Sequence, residues 1–479
     1  MSGIASYGAC VPEHRLALAC LGGRRANDGG PEKAVAWNDE DSVTLAVAAA
    51  ANCLRDFDRQ RVDAVYFAST TQPFREKQAA ALVARALDLR RDIRCADFAG
   101  SLRAGTDALH AAHDAVRAGS ARQVLVIASD CRLGAPGSGL ERSSGDGAAA
   151  FLVADVDVIA ELDSAHAISD EIVDLWRGEH DEFVHSWEER FVVQEGYGPR
   201  LEEAVSGLLA KNGRRIGDYA RVVLYGPDAR SHAEVARRLG VKKDALADPA
   251  FGRLGNAGAA FAPLLLVGAL ERARRGERLL VANYGDGADA LTFEIGAAIE
   301  KLPPRRGLDW HLARRRAVTR YDRYIEARGL AASEWPATAG PGLSATIHHR
   351  ERDADIGFRG QRCRRCRAVQ FPPQRVCESC FAKDEFDAHR LSDRVGHLVT
   401  YTLDHFFPTP NPPTVVGIVD IDGARVHMQI TGLEAEDVRT GLALEFVFRR
   451  IHQVGGRPNY YWKATPLTDP LAEGPADPA

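Results

Sequence analysis

The chain has 479 residues, of which 45% are apolar and 27% charged, with a formal net charge of −5. That length exceeds what one hydrophobic core can serve and calls for roughly two to four domains. The balanced charge gives no electrostatic case for nucleic acid as a principal ligand. No apolar run approaches the roughly 20 residues of a membrane span, and Met1-Ser-Gly-Ile-Ala-Ser-Tyr-Gly lacks the charged start and long apolar stretch of a secretory signal.

Up to about residue 300, short apolar runs alternate with alanine-rich amphipathic stretches. The runs 62–69, 123–129, 148–153, 221–226, 279–284 and 290–295 read as strands, and 43–55, 78–87, 104–117, 201–211 and 233–239 as helices. Such alternation predicts a layered α/β domain. The pattern occurs twice. Gln123-Val-Leu-Val-Ile-Ala-Ser-Asp130 leads to Gly145-Asp146-Gly147-Ala, and Arg278-Leu-Leu-Val-Ala-Asn-Tyr-Gly285 leads to Asp286-Gly287-Ala. A Gly-Asp-Gly turn alone is weak evidence. Repeated at equivalent places, it points to an internal duplication.

Beyond Leu302-Pro-Pro-Arg-Arg the composition changes. A basic helix is predicted over 310–328, followed by a Pro/Gly/Ala linker at 334–342. Cys363-Arg-Arg-Cys366 and Cys377-Glu-Ser-Cys380 are two C-x-x-C pairs separated by ten residues. That spacing closes a tetrahedral Cys₄ zinc site with no open coordination position, a structural ribbon. The other five cysteines (Cys10, Cys20, Cys53, Cys95, Cys131) stand singly, and free thiolates fit a reducing cytoplasm. Strand-like runs at 396–403, 415–421, 425–430, 444–450 and 459–463 predict a small barrel, and the Pro/Ala/Asp/Glu tail after Pro466 predicts disorder. The expected divisions are 1–300, a linker and docking helix over 301–354, the ribbon at 355–388, the barrel at 389–466 and a tail at 467–479.

Four segments carry a resemblance: Tyr66-Phe-Ala-Ser-Thr70-Thr-Gln-Pro-Phe, Asp97-Phe-Ala-Gly-Ser-Leu102-Arg-Ala-Gly-Thr106, Gly145-Asp-Gly147-Ala and Gly255-Asn256-Ala-Gly. With them the first 300 residues resemble the thiolase superfamily, nearest to 3-hydroxy-3-methylglutaryl-CoA synthases and type III ketoacyl synthases. Tyr321-Asp-Arg-Tyr-Ile-Glu-Ala-Arg328-Gly, the four cysteines with Val369-Gln-Phe371-Pro372, Thr400-Tyr-Thr402 and 415–423 are similar to zinc-ribbon/OB-fold proteins that accompany acyl-CoA thiolases. The resemblance implies a duplicated five-layer αβαβα thiolase-like domain followed by a zinc ribbon and an OB-fold β-barrel. It also implies structural zinc, a coenzyme A thioester as ligand, and a homodimer through the thiolase-like domain.

Claisen-type members of that superfamily use a thiolate, a carboxylate base and a His/Asn pair at the oxyanion. Matched to their motifs, this chain has Leu102 at the cysteine's place, Thr70 at the glutamate's and Tyr225 at the histidine's. Only Asn256 keeps its place, and Ser101 is the neighbouring candidate nucleophile. Cys95 reads as a core thiol, Glu76 as a solvent-facing helix residue and His232 as a surface residue at a helix start. His180 and His185, in an insertion resembling one that lines the family's CoA site, read as surface or packing residues. Arg314-Arg-Arg316 reads as a solvated linker face, with CoA phosphates as the alternative.

Three neutral replacements together predict an acyl-CoA-handling subunit without the Cys/Glu/His triad. It would serve as structural or substrate-binding partner of a thiolase, joined through the OB domain, in a 3-oxoacyl-CoA-processing complex. The alternative is an enzyme in its own right, an acyltransferase or C–C bond lyase or synthase acting on acyl-CoA thioesters at a non-standard site; acyltransferase activity confined to the complex would belong to the first reading. The barrel aromatics Phe406, Phe407, Tyr460, Tyr461 and Trp462 are expected to pack against the partner domain, and the lack of a basic-aromatic stripe makes nucleic-acid binding a minor alternative.

Overall fold

The computed structural model describes residues 2–331, 344–407, 409–454 and 456–468. The linker expected at 334–342 and the tail beyond 468 lie outside them. Backbone contacts divide the chain into one unit of residues 1–84 and 89–325 and another of 85–88 and 326–479.

In the first unit nine strands form the main sheet: β1 (Gly3–Cys10), β2 (Ala64–Ala68), β3 (Arg94–Phe98), β4 (Gln123–Cys131), β5 (Asp146–Ala154), β6 (Ala160–Ser169), β7 (Arg221–Leu224), β8 (Arg278–Tyr284) and β9 (Gly287–Ile295). Their order is β7-β8-β9-β6-β1-β5-β4-β2-β3. The junction between β1 and β6 consists of two residue pairs, Gly3 with Glu161 and Ile4 with Ala160. On either side of it the two halves repeat one design. Strand β2 runs parallel to β4, β4 antiparallel to β5 and β5 antiparallel to β1. Strand β7 runs parallel to β8, β8 antiparallel to β9 and β9 antiparallel to β6.

Helices supply the remaining layers: α1 (Ser42–Cys53), α2 (Ala79–Ala86), α3 (Ala104–Arg117), α4 (Gly198–Asn212), α5 (Ala229–Arg238) and α6 (Phe261–Leu270). Helix α1 begins where Asp41 accepts from the Val43 and Thr44 amides and Thr44 closes the capping box. It covers β1, β4 and β5, while α3 lies on β2, β4 and β5 and also touches α6. Helix α6 meets β1 and β5 on one side and β7 and β8 on the other, and α4 covers β6, β8 and β9. The result is the αβαβα sandwich. The central helices approach closely because residue 105 is glycine: a Cβ there would stand 2.4 Å from the Ala259 carbonyl oxygen.

The predicted strands and helices of this unit all appear, with β1, β3, β6 and α6 added. Helix α6 is apolar on every side and buried throughout, so it carries no amphipathic stripe. The basic helix expected over 310–328 is instead a helix at Leu308–Ala313, a strand at Arg316–Val318 and a helix at Tyr321–Ala327. The strand pairs in parallel with His14–Ala17. Arg314 and Arg316 pair with Glu13, and Arg315 pairs with Asp28 and Glu32, so this run is a set of internal ion pairs.

The second unit holds three short strands (Arg359–Cys363, Val369–Gln370, Phe386–Arg390) around the cysteines, then a closed barrel. Its strands are β10 (Gly396–Asp404), β11 (Thr414–Ile421), β12 (Ala424–Ile430), β13 (Ala443–Val454) and β14 (Arg457–Pro466), in the order β10-β11-β12-β14-β13. Alternate residues of β11 and β12 are buried, the period of a sheet with one wet face. Phe358 stacks on Trp462 with centroids 6.1 Å apart, and Phe448 on Tyr460 at 5.5 Å. The Trp462 indole donates to the Ile356 carbonyl at 2.8 Å. Phe406 and Phe407 are exposed, while Tyr460 and Trp462 are buried.

Candidate functional site

Parallel strands leave their carboxyl ends and the following loops on one side of a sheet, where ligand crevices form. In the first unit a cleft of about 690 Å³ opens there. Its walls are the segment after β2 (Ser69 to Gln78), the turn between β3 and α3 (Ala99 to Leu102), Arg132 after β4, and the Gly285–Asp286 turn. Residues 174–177 and Val184, from the insertion between β6 and α4, complete it. Trp176 pairs with His185 between the short strands Leu175–Trp176 and His185–Ser186, and His185 lies 3.3 Å from Asp181. His180 and His185 are both exposed and are not among the cleft's lining residues.

Thr70, Ser101 and Leu102 all line the cleft. The Thr70 hydroxyl is engaged: it donates to Asp130 Oδ2 at 2.9 Å, and its amide donates to Oδ1 at 2.7 Å. Asp130 is fully buried and also accepts from the Ser69 and Thr71 hydroxyls (3.0 and 2.9 Å) and the Ala259 amide (2.7 Å). Five donors fill the roughly four lone-pair directions of a carboxylate.

Leu102 stands two residues before α3 and presents a hydrocarbon side chain. Its carbonyl accepts from Asn283 at 3.2 Å. Beside it, the Arg103 guanidinium donates to the Gly285 carbonyl at 2.6 Å and Asp289 at 2.7 Å, tying the start of α3 to the β8–β9 turn. Gly285, at φ 157°, is required: a Cβ would lie 2.8 Å from Ser101 Oγ. Asp107, one turn into α3, is pushed up to about 6 by burial and then by Asp289.

Tyr225 and Asn256 are buried and are not among the lining residues. Asn256 spends its amide on the Gly226 carbonyl and the Gly258 amide, both at 2.9 Å. Burial raises the Tyr225 phenol, with Arg132 pulling against it. Tyr225 belongs to a ring cluster with Tyr197, Tyr284 and Phe261. The Tyr284 hydroxyl donates to Asp174 at 2.5 Å.

Three expectations need correction. His232 is 2% exposed, held under Phe251 and lowered to about 4 by burial, because its face of α5 turns inward. Cys95 is half-buried on the edge strand β3, not in a core strand, and burial raises its thiol. Glu76 is exposed as expected, but in a bend before α2.

In the second unit the four sulfurs of Cys363, Cys366, Cys377 and Cys380 lie within 4.8 Å of one another. Cys363 and Cys380 are 3.7 Å apart, and Cys366 and Cys377 3.5 Å. A tetrahedron with metal–sulfur bonds of about 2.3 Å has edges of about 3.8 Å, so the set fits a metal ion. Two like turns build it. The Arg367 amide donates to the Cys363 carbonyl and the Phe381 amide to the Cys377 carbonyl, at 2.9 and 3.0 Å, with both residues at positive φ. Hydrogen bonds from the Cys380 and Ser379 backbone lower the Cys377 thiol, while its neighbour Cys366 is pushed the opposite way, so one of the two sulfurs gives up its proton more readily.

Residues 350–386 match the model of the ChsH2 rubredoxin-like zinc ribbon domain, and 388–449 that of the ChsH2 C-terminal OB-fold domain. The hydroxymethylglutaryl-CoA synthase of Pyrococcus furiosus is 30% identical over 335 residues, covering 68% of this chain and 95% of that protein. The chain belongs to the hydroxymethylglutaryl-CoA synthase family. The Methanocaldococcus jannaschii synthase is 32% identical over 311 residues, covering 62% of this chain and 88% of the relative. Among solved structures, an HMG-CoA synthase complexed with CoA has a TM-score of 0.62 at 20% identity, covering 72% of this chain and 95% of that one. MvaS in complex with 3-hydroxy-3-methylglutaryl coenzyme A has a TM-score of 0.58 at 22% identity, covering 71% and 94%. These neighbours share the thiolase-like fold of the first unit. This HMG-CoA synthase family member is thus extended by a ribbon and an OB barrel. Among the described residues no helix is long and apolar enough to cross a membrane.

Three residues that shape the cleft carry no sequence signal of their own. Asp130 ends an apolar strand, Arg132 is one of many arginines, and Asp174 lies in an insertion without periodicity. Their roles depend on burial and partners, which only the folded chain supplies.

Proposed function

We propose that this chain is an acyl-CoA-handling subunit that does not itself perform the Claisen step and serves a thiolase as structural or substrate-binding partner in a 3-oxoacyl-CoA-processing complex. The carrying observation is Leu102: a side chain with no heteroatom lines the cleft beside the start of α3, where the resemblance puts the family's attacking sulfur. Thr70 adds weight, since its hydroxyl is committed to Asp130. Tyr225 and Asn256, both buried, are engaged by their own surroundings.

In this reading coenzyme A thioesters enter the cleft and the barrel receives the thiolase. The thiolase-like domain forms the homodimer, and the divisions at about 300, 354, 388 and 466 separate these roles. Zinc is the ion held by Cys363, Cys366, Cys377 and Cys380, where it supplies a structural cross-link. A reducing cytoplasm suits nine cysteines that form no disulfide.

The test is intact-mass analysis after incubation with acetyl-CoA and a 3-oxoacyl-CoA, with and without candidate thiolases. We expect CoA-ester binding, no covalent acyl adduct on this chain, and thiolytic turnover only in the complex. An adduct that disappears in Ser101→Ala would instead establish the second reading, a hydroxyl nucleophile. That reading draws on Ser101 lining the same cleft next to Leu102.

A further inference from the structure

In the second unit, large apolar side chains stand exposed together at the far end of β10 and just after it. Tyr401, Leu403, Phe406 and Phe407 are 38, 36, 98 and 39% exposed. Strand β10 pairs with β13 only through Gly396 and His397, while its other side stays on β11 as far as Asp404. A bulge between Leu398 and Thr400 re-aims the strand, and from Thr400 to Leu403 every residue is exposed, whichever face it is on. Among the described residues no backbone pairs with the side of 399–404 that faces away from β11. Asp404 Oδ1 accepts from the Phe406 and Phe407 amides at 2.9 and 3.1 Å, a turn that sets both phenylalanines just beyond the strand. Bare edges are ordinarily blunted by charge or proline. Strand β13, whose pairing with β10 stops at Leu444, carries Glu445, Arg449 and Arg450, whereas 399–403 hold neither charge nor proline. We propose that this edge of β10 pairs with the same edge of a second copy of the chain, antiparallel about a two-fold axis at Thr402.

Complementarity and area both select a second copy. In that register Tyr401 faces the partner's Leu403, Thr402 faces the partner's Thr402, and Thr400 faces the partner's Asp404. Apolar meets apolar, hydroxyl meets hydroxyl, and the one carboxylate meets a hydroxyl, so no like charges oppose. Taking about 200 Å² for each aromatic side chain, the exposed groups offer about 400 Å² of apolar surface per copy. Two copies supply about 800 Å², close to the apolar share of a standard interface of about 1,600 Å². The pairing is independent of how the chain handles CoA thioesters. It is also separate from the homodimer proposed for the thiolase-like domain, and the two contacts together build a tetramer. The rest of the barrel's outer face is left to the thiolase.

The experiment is sedimentation equilibrium of the full chain as wild type, as Tyr401→Lys with Leu403→Lys, and as Tyr401→Asp with Leu403→Asp. Each double variant sets like charges against each other across the axis, at exposed positions that the fold of one copy does not need. We expect wild type at twice the mass of either variant. An equimolar mixture of the two variants should return to the wild-type mass, because opposite charges then face each other. Variants that keep the wild-type mass would overturn the proposal. So would variants of half the mass whose mixture stays there, since the edge would not be meeting its own copy in this register. Wild type already at the variants' mass, with thiolase co-purification lost in both variants, would assign the edge to the thiolase instead.

Discussion

Asp130 illustrates how one buried carboxylate organises a binding wall. It holds the backbone and hydroxyl of Thr70, the hydroxyls of Ser69 and Thr71, and the amide of Ala259 beside α6. An asparagine has a single acceptor oxygen, and its NH₂ would face donors. Asp130→Asn should therefore cost about 2–4 kcal/mol in urea unfolding, more than an ordinary surface change; a loss below about 1 kcal/mol would contradict this network. Thr70 and Leu102 were legible from their spacing within short motifs, and both do line the cleft. Tyr225 and Asn256 were placed by the same means, yet the fold sets them behind the wall. Arg132 was illegible because nothing in the linear chain marks which of 61 lysines and arginines lines a cleft.

Among the elements, the barrel was readable almost strand for strand, since a sheet with one wet face writes its period into the chain. Helix α6 was not, because a helix buried on all sides has no stripe. The 310–328 segment misled for another reason: its arginines match a solvent face in composition, but Glu13, Asp28 and Glu32, nearly 300 residues earlier, claim them. The ribbon is the element whose sequence signal and geometry agree most closely. Its three short strands leave the sulfurs as the cross-link, so metal affinity becomes folding free energy. Metal analysis should find about one zinc per chain. Chelation or Cys363→Ser should lower the melting transition of the second unit and leave that of the first unchanged. Metal-free protein with an unaltered transition would refute the structural role.

For the molecule taken whole, acid stability combines groups that pull in opposite directions. His113, His232 and His311 are all buried in the first unit, and burial lowers them to about 3, 4 and 3. A depressed histidine contributes stability above its unfolded value of about 6.5 and loses it as pH falls toward the folded value. At pH 5.5 each therefore costs about 1.4 kcal/mol relative to neutral pH. Glu271 works the other way. Burial, then Asp309, raises it to about 7, so its contribution is full below the ordinary carboxylate range and is lost as pH rises through 7. Because Glu271 is part-exposed, its effect shrinks to about 1 kcal/mol. Wild type should lose stability between pH 7.5 and 5.5, and Glu271→Gln should lose about 1 kcal/mol more over the same interval, because it lacks the opposing carboxyl. Urea unfolding at both pH values measures the difference; identical acid losses in the two proteins would show that Glu271 titrates as it does in water.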